Sequence, residues 1–328
     1  MKIFSRTPDD FAKALHWPDQ YAEIIKKKKY RSFLMAKKNG GQRKIETPGK
    51  QLKFLQKTVA NTLQLLYSQH IPGCVHGYVS QINPTVGPRN ILTNARAHQF
   101  SDYLLNLDIE KFFPTVDSIR IMELWRSWFP EMPAATQEML TLLCTHKNYL
   151  PMGAPSSAVL SNMCMTDLDR QLMHFCKEKN IIYTRYVDDM SFSSDDATLA
   201  DMDAPIQELV NKYGFNINLS KRKYYTKSDA KHITGLILHE EEITVEKELL
   251  KNMRRCIKEY ERMKWLQRQM QMDKKWLQYK IKHMEQSISG QLAFLLQIHG
   301  SENATYQEFQ QLFKKAKKRL PPSFNFYF

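Results

Sequence analysis

Two stretches of the chain end a β-prone run on carboxylates. In "DYLLNLDIEKFFP" the run "YLLNL" stops at Asp108, and in "YTRYVDDMSFSS" a second run stops at Asp188 and Asp189 before alternation resumes. Adjacent carboxylates repel each other and gain nothing in a strand interior. Strands that twice deliver acids from their ends predict that the acids meet at one point. Hard divalent cations such as Mg²⁺ want oxygen ligands and keep open positions for phosphates. A pair of them clamps the attacking and leaving oxygens of an in-line displacement, so three aspartates in this placement suit nucleotidyl transfer. Asp-Asp is also common in solvated turns, and the tetrapeptide Tyr186–Asp189 does not by itself decide between the two readings.

The elements that must position these acids follow from pattern. Residues 1–30 predict one or two short helices, with Thr7 as a cap and acids in the first turn. "YRSFLMAKKNGGQRKIETP" predicts a hairpin across a basic turn, and "LKFLQKTVANTLQLLY" has apolar residues at helical spacing. "HIPGCVHGYVSQINPTVGPRN" is rich in Gly and Pro and predicts an irregular connection. Residues 119–147 read as helical, and "LPMGAPSSAVLSNMCMTDLDRQLMHFC" as a loop entering a long helix. A hairpin is expected around Asp188–Asp189, a helix near 203–213, and short strands at "FNINL" and "HITGLIL". Residues 246–285 hold twelve Lys/Arg against six Asp/Glu, with Trp265, Trp276 and Tyr279 interleaved and no Gly or Pro, which predicts a separate basic helical lobe.

Charge narrows the partner. With 48 Lys+Arg against 34 Asp+Glu, the 328-residue chain has a formal charge of +14, which points to a polyanion. A merely basic soluble enzyme is the alternative on charge alone. Cys74, Cys144, Cys164, Cys176 and Cys256 are widely spaced, lack metal-finger spacing, and read as free thiols in a reducing cytoplasm. The N-terminus lacks the apolar core of a signal peptide, and no apolar run is long enough to predict a membrane span.

In order and spacing, "LNLDIEKFFPTV", "LPMGAPSSAVLSN", "YVDD", "GFNINLSKRKYY" and "HITGLIL" resemble the successive palm motifs of reverse transcriptases. "KKNGGQRKIETP" resembles the fingers motif that precedes them, and together they span roughly residues 30–240. "NARAH", residues 94–98, resembles the Asn-Ala-x-x-His element of bacterial retron reverse transcriptases, and "ITG", residues 233–235, their Val-Thr-Gly triplet with Ile233 in place of valine. A single thumb-like lobe after the palm is similar to retron enzymes as well. Group II intron enzymes usually carry a further maturase domain, for which no residues remain.

The resemblance implies an α+β right-hand polymerase. N-terminal helices and fingers would occupy 1–100, the palm with its antiparallel sheet 101–240 (fingers elements interleaved around 119–160), and a mainly helical basic thumb 241–328. It implies that Asp108, Asp188, Asp189 and the backbone carbonyl of Ile109 hold two Mg²⁺ ions. Phe113 falls where an aromatic blocks a nucleotide 2′-OH, which implies dNTP substrates; packing of Phe112 or Phe113 into the core is the alternative. Arg43, with Lys37 or Lys38, matches residues that neutralise the incoming triphosphate, Arg offering a planar fork for phosphate oxygens. Lys221 matches a lysine that protonates the pyrophosphate leaving group, although "SKRKYY" also reads as a solvated surface.

Two departures stand out. Met152-Gly153 replaces the Gln-Gly that normally helps position nucleotide or template, and Ser157-Ala158 replaces Ser-Pro. Asn94 and His98 are implied to contact a structured non-coding RNA, a helix cap and a surface His being the alternative. Thr234–Gly235 suits close approach to RNA backbone, or a strand bulge. Thumb cations, Arg254 and Arg255 among them, would track duplex phosphates.

These readings imply a retron enzyme that copies part of its RNA into DNA, primed from an RNA 2′-OH to give a branched RNA–DNA product. A role in phage defence and an accompanying effector protein come with the resemblance. The rivals are another small bacterial reverse transcriptase, of the diversity-generating or abortive-infection type, and an RNA-binding scaffold whose polymerase activity is dispensable.

Overall fold

The computed structural model describes residues 2–36, 40–80, 87–269 and 275–318. These form two compact units, Met1–Ser228 and Asp229–Phe328. The division falls ahead of the boundary expected near 240, so the segment "HITGLIL" belongs to the C-terminal unit.

In the N-terminal unit α1 (Pro8–Ala14) and α2 (Tyr21–Lys27) precede a two-stranded antiparallel hairpin, β1 (Tyr30–Ala36) with β2 (Gln42–Pro48). Thr7 caps α1 by accepting from the Asp10 backbone N–H, as its Thr-Pro-Asp-Asp start predicts. α3 (Lys50–Tyr67) buries Leu52, Leu55, Val59 and Leu63, the helical stripe legible in the sequence. After α4 (Ile91–Arg96) come β3 (Tyr103–Asp108), α5 (Phe112–Thr115), α6 (Ser118–Trp128), α7 (Ala134–Cys144) and the 22-residue α8 (Ser157–Glu178). β4 (Ile182–Tyr186), β5 (Asp189–Ser194), α9 (Asp203–Lys212) and β6 (Lys223–Tyr225) complete the unit.

Its four-stranded sheet has the order β4-β5-β3-β6, antiparallel throughout. α8 and α3 belong to the core with it: Val159, Leu160, Met163, Leu168 and Leu172 join Leu105, Leu107, Met190 and Phe192 in one cluster. Each such side chain, fully buried, contributes about 1.5–3 kcal/mol.

"FNINL" departs from expectation. Phe215 and Ile217 are buried as alternation predicts, but a single bridge, Ile217 to Ile109, forms instead of a strand. Asn218 accepts from the Ser220 N–H and turns the chain into a 3₁₀ helix at Leu219–Lys221, so the strand begins only at Lys223.

The C-terminal unit opens with an antiparallel meander, β7 (Lys231–Ile233), β8 (Leu236–Leu238) and β9 (Ile243–Val245). "HITGLIL" is therefore a hairpin rather than one strand. Its turn residues Thr234 and Gly235 have φ of +48° and +86°, the signs a two-residue hairpin turn of type I′ demands. α10 (Lys247–Gln269), α11 (Lys275–His299) and α12 (Ala304–Lys318) follow and pack together, with Tyr260 against Phe313 and Lys317 paired to Glu285 at 2.6 Å. Among the described residues no helix is long and apolar enough to cross a membrane.

Candidate active site

The two central strands of the palm sheet bring the predicted acids together. β3 ends at Asp108 and β5 begins at Asp189, and these two residues are direct partners in the ladder. Opposed residues share a face, with Cβ atoms about 4.5–5.5 Å apart. Asp188 lies in the two-residue connection between β4 and β5, where Tyr186 pairs with Asp189. The Ile109 N–H donates to the Asp188 carbonyl (3.0 Å), tying the turn to the end of the neighbouring strand. Val187, the first turn residue, has φ of +64°, a conformation a β-branched side chain adopts only where its surroundings hold it.

The concentration of negative charge shows in the acids themselves. Burial raises the Asp188 carboxyl above its usual range, and the Asp108 carboxylate adds to the shift. Asp189 is pushed up to about 7 by burial and then by Asp188 and Asp108. Lys221 and Arg43 act in the opposite sense on both.

Lys221 reaches the site because the irregular "FNINLSK" segment is fastened to the end of β3. The Asn218 N–H donates to the Asp108 carbonyl and the Glu110 N–H to the Asn216 carbonyl, each at 2.8 Å. Lys221 Nζ then stands 2.6 Å from Asp108 Oδ1. Arg43 is exposed on β2, opposite Met35. Lys37 and Lys38 lie outside the described residues.

Phe113 is buried, its ring 5.5 Å from that of Phe112 and 6.4 Å from that of Tyr78. Phe112 also packs near Phe215. Tyr78 was not singled out in the sequence: it lies in the Gly/Pro-rich connection, whose composition carries no periodicity. It has φ of +56°, it is 45% exposed, and after burial itself the charge of Asp188 raises its phenol. Tyr78 thus combines a left-handed backbone and a half-exposed ring with the electrostatic influence of Asp188.

Met152 and Gly153 seal the fingers hairpin to the palm. The Glu46 N–H donates to the Met152 carbonyl (2.8 Å), and Gly153 (φ +124°) leaves a would-be Cβ only 3.0 Å from the Glu46 carbonyl oxygen. The buried Glu46 carboxylate takes Lys44 at 2.7 Å and the Tyr149 hydroxyl at 2.9 Å.

The RNA-contact expectation for Asn94 and His98 requires correction. Asn94 is 1% and His98 0% exposed. The His98 ring nitrogens bond Ser193 Oγ and Thr184 Oγ1, each at 2.7 Å, so the imidazole staples β5 to β4. Burial lowers its pKa to about 3 and keeps it neutral. Both side chains are committed to the interior and present no surface to RNA.

In the C-terminal unit the Thr234–Gly235 turn has open space at Gly235. Arg254 grips Glu308 (2.8 Å) and lies over the Phe309 ring, while Arg255 bonds Asn252. Lys251, Arg254, Arg255, Lys258 and Arg262 line one basic hollow of about 470 Å³ together with Glu259.

The donor set fits divalent ions bound with a substrate. Mg²⁺ is usually held by one or two carboxylates plus substrate phosphates rather than by a dedicated cage. Among the described residues no group of three or more His, Cys, Asp or Glu side chains could hold a metal ion by itself, so a substrate would have to complete the coordination.

Strand-borne acids on an antiparallel palm, with a separate helical unit, define a right-hand fold of mixed helix and sheet. A telomerase from Candida albicans, solved with a fragment of telomeric RNA, shares it at a TM-score of 0.52 and 11% identity, covering 93% of this chain and 66% of that one. The family model for reverse transcriptase (RNA-dependent DNA polymerase) matches residues 25–266, and the chain belongs to this family. Members generally use divalent metals. Its curated similarities are to bacterial retron-type enzymes. It is 29% identical over 254 residues to the retron Mx162 reverse transcriptase of Myxococcus xanthus, covering 69% of this chain and 50% of that protein. With the retron Ec83 and Ec86 reverse transcriptases of Escherichia coli identity is again 29%, covering 64% and 69% of this chain and 68% of each relative. The chain thus spans half the length of the first relative and about two thirds of the others.

Proposed function

We propose that the chain is an RNA-directed DNA polymerase of the retron type, which binds a structured non-coding RNA and copies part of it from dNTPs. The observation that carries this reading is Asp108 opposite Asp189, with Asp188 in the adjoining turn, at the ends of the two central palm strands. Asp108, Asp188, Asp189 and the Ile109 carbonyl would hold two Mg²⁺ ions, which when bound stabilise the attacking and leaving oxygens of the displacement. Arg43, with Lys38, neutralises the triphosphate. Phe113 excludes a 2′-OH, Met152 and Gly153 border the nucleotide, and Lys221 gives a proton to the departing pyrophosphate. Arg254, Arg255 and the Thr234–Gly235 turn contact RNA, consistent with the basic hollow on α10.

Priming from an RNA 2′-OH, a branched RNA–DNA product, a partner effector protein and a role in phage defence extend the same reading. The five free cysteines suit a cytoplasmic protein. Sequencing the nucleic acid that copurifies with the protein tests it. A short DNA joined to a structured RNA is the expected result; random cellular RNA without DNA contradicts the retron assignment.

A further inference from the structure

Three residues before Asp188, a charged side chain lies wholly inside the protein. Arg185 is 0% exposed, as is Asp169 of α8, whose carboxylate it grips through Nε (2.8 Å) and Nη2 (2.6 Å). Burial alone would lower the guanidinium pKa; the Asp169 carboxylate overrides this and holds it charged. Exchanging a buried ion pair for packed apolar groups is often neutral or stabilising, so stability is a weak reason for its presence.

What the guanidinium reaches is more informative. Nη1 donates to the carbonyl of Val187 (2.9 Å), the residue that leads into Asp188, and to Oδ1 of Asn162 (3.0 Å). Asn162, also 0% exposed, donates through Nδ2 to the Gly77 carbonyl (2.9 Å). The Tyr183 hydroxyl donates to the same Asp169 carboxylate at 2.9 Å. Along the backbone, the Arg185 N–H donates to the Cys74 carbonyl (2.8 Å), and its own carbonyl accepts from the His76 N–H (2.9 Å). The Arg185 side chain thus joins the acidic turn to the long helix, while its backbone and Asn162 tie both to the segment that delivers Tyr78.

Gly77 closes the packing from another side. A Cβ there would lie 2.6 Å from Val187 N and 2.8 Å from Val187 Cγ2, so only glycine fits against the turn. Val187 is held left-handed between this contact and the Arg185 hydrogen bond.

We propose that Arg185 is a positioning residue for the candidate catalytic turn. With Asp169 and Asn162 behind it and Gly77 opposed, it fixes Val187 so that Asp188 and Asp189 stand against Asp108. It acts through the Val187 carbonyl and touches no substrate. This inference rests on the polymerase reading of the three aspartates.

The test uses the full chain as wild type, Arg185→Lys and Gly77→Ala. Lysine keeps a cation beside Asp169 but lacks the planar fork that reaches Val187 and Asn162 together. Gly77→Ala leaves the ion pair intact and presses on Val187 directly. Mn²⁺ binding is followed by electron paramagnetic resonance in the presence of a dNTP and without nucleic acid, beside dNTP incorporation, RNA affinity and thermal melting. In each variant that melts cooperatively, Mn²⁺ affinity and kcat should fall about tenfold or more, the scale of effects from residues that orient metal ligands, with RNA affinity unchanged. Wild-type Mn²⁺ affinity and kcat in either folded variant overturn the inference. The polymerase reading is judged separately, on whether the wild-type protein incorporates dNTPs at all.

Discussion

Lys221 Nζ stands 2.6 Å from Asp108 Oδ1, although the two residues are 113 positions apart. The contact exists because Asn216 and Asn218 bond the end of β3, which carries the lysine back to the acid. On the proposed polymerase reading this half-exposed ammonium, paired with Asp108, would give a proton to a leaving phosphate oxygen. Replacing Lys221 with Met should lower kcat for dNTP incorporation by about 100-fold, with RNA affinity unchanged. Single-turnover kinetics decide it: an unchanged chemical step would reduce Lys221 to a counter-ion.

Phe113 packs among Phe112 and Tyr78, and Tyr78 in turn feels the charge of Asp188. If its ring is what meets a ribose 2′-hydroxyl, Phe113→Val should raise ribonucleotide incorporation relative to dNTPs by roughly tenfold or more, the scale of one steric contact in a pocket. The shortened side chain should also cost about 1–3 kcal/mol of stability. Competition between rNTP and dNTP on one primed template reads the ratio directly; an unchanged ratio assigns Phe113 to the core alone.

His98 sets a pH dependence. Its folded pKa, lowered to about 3, lies below the ordinary 6.5, so the unfolded chain takes up a proton that the folded chain refuses. Its contribution is complete above pH 6.5 and is lost as pH falls toward 3. At pH 5 the loss is roughly 2 kcal/mol relative to pH 7. His76, lowered to about 4 by burial and by Arg89, acts with the same sign. Urea unfolding of His98→Gln should therefore show lower stability at pH 7 but a shallower decline toward pH 5 than the wild type. Equal slopes would mean that His98 is not buried neutral.

The elements that carry the acids were legible because hydrophobic runs mark buried strands. "YLLNL" and the runs on either side of Asp188–Asp189 are β3, β4 and β5, and the stripe of α3 and the length of α8 follow the same logic. The α+β right-hand class came with the resemblance of these ordered motifs to reverse transcriptases. Periodicity reports that a side chain is buried, not which partner it meets across the chain. His98 was therefore expected, from the resemblance, to contact RNA, with a surface histidine as the alternative, although it bonds Ser193, 95 positions away. The Arg185–Asp169 pair and Tyr78 were equally silent, because their meaning lies in contacts among α8, β4 and an irregular connection. "FNINL" shows the converse: Phe215 and Ile217 are buried as alternation predicts, yet Leu219 is exposed and an Asn218 turn ends the pairing after one bridge.

The most direct test of the central claim is dNTP incorporation on a primed RNA template with Mg²⁺, comparing the wild type with Asp188→Asn/Asp189→Asn. Three carboxylates gathered at the ends of β3 and β5 predict incorporation by the wild type. The double variant should show none, while its RNA affinity and melting temperature stay at or above the wild-type values because mutual carboxylate repulsion is relieved. Incorporation at the wild-type rate by the folded double variant would contradict the account.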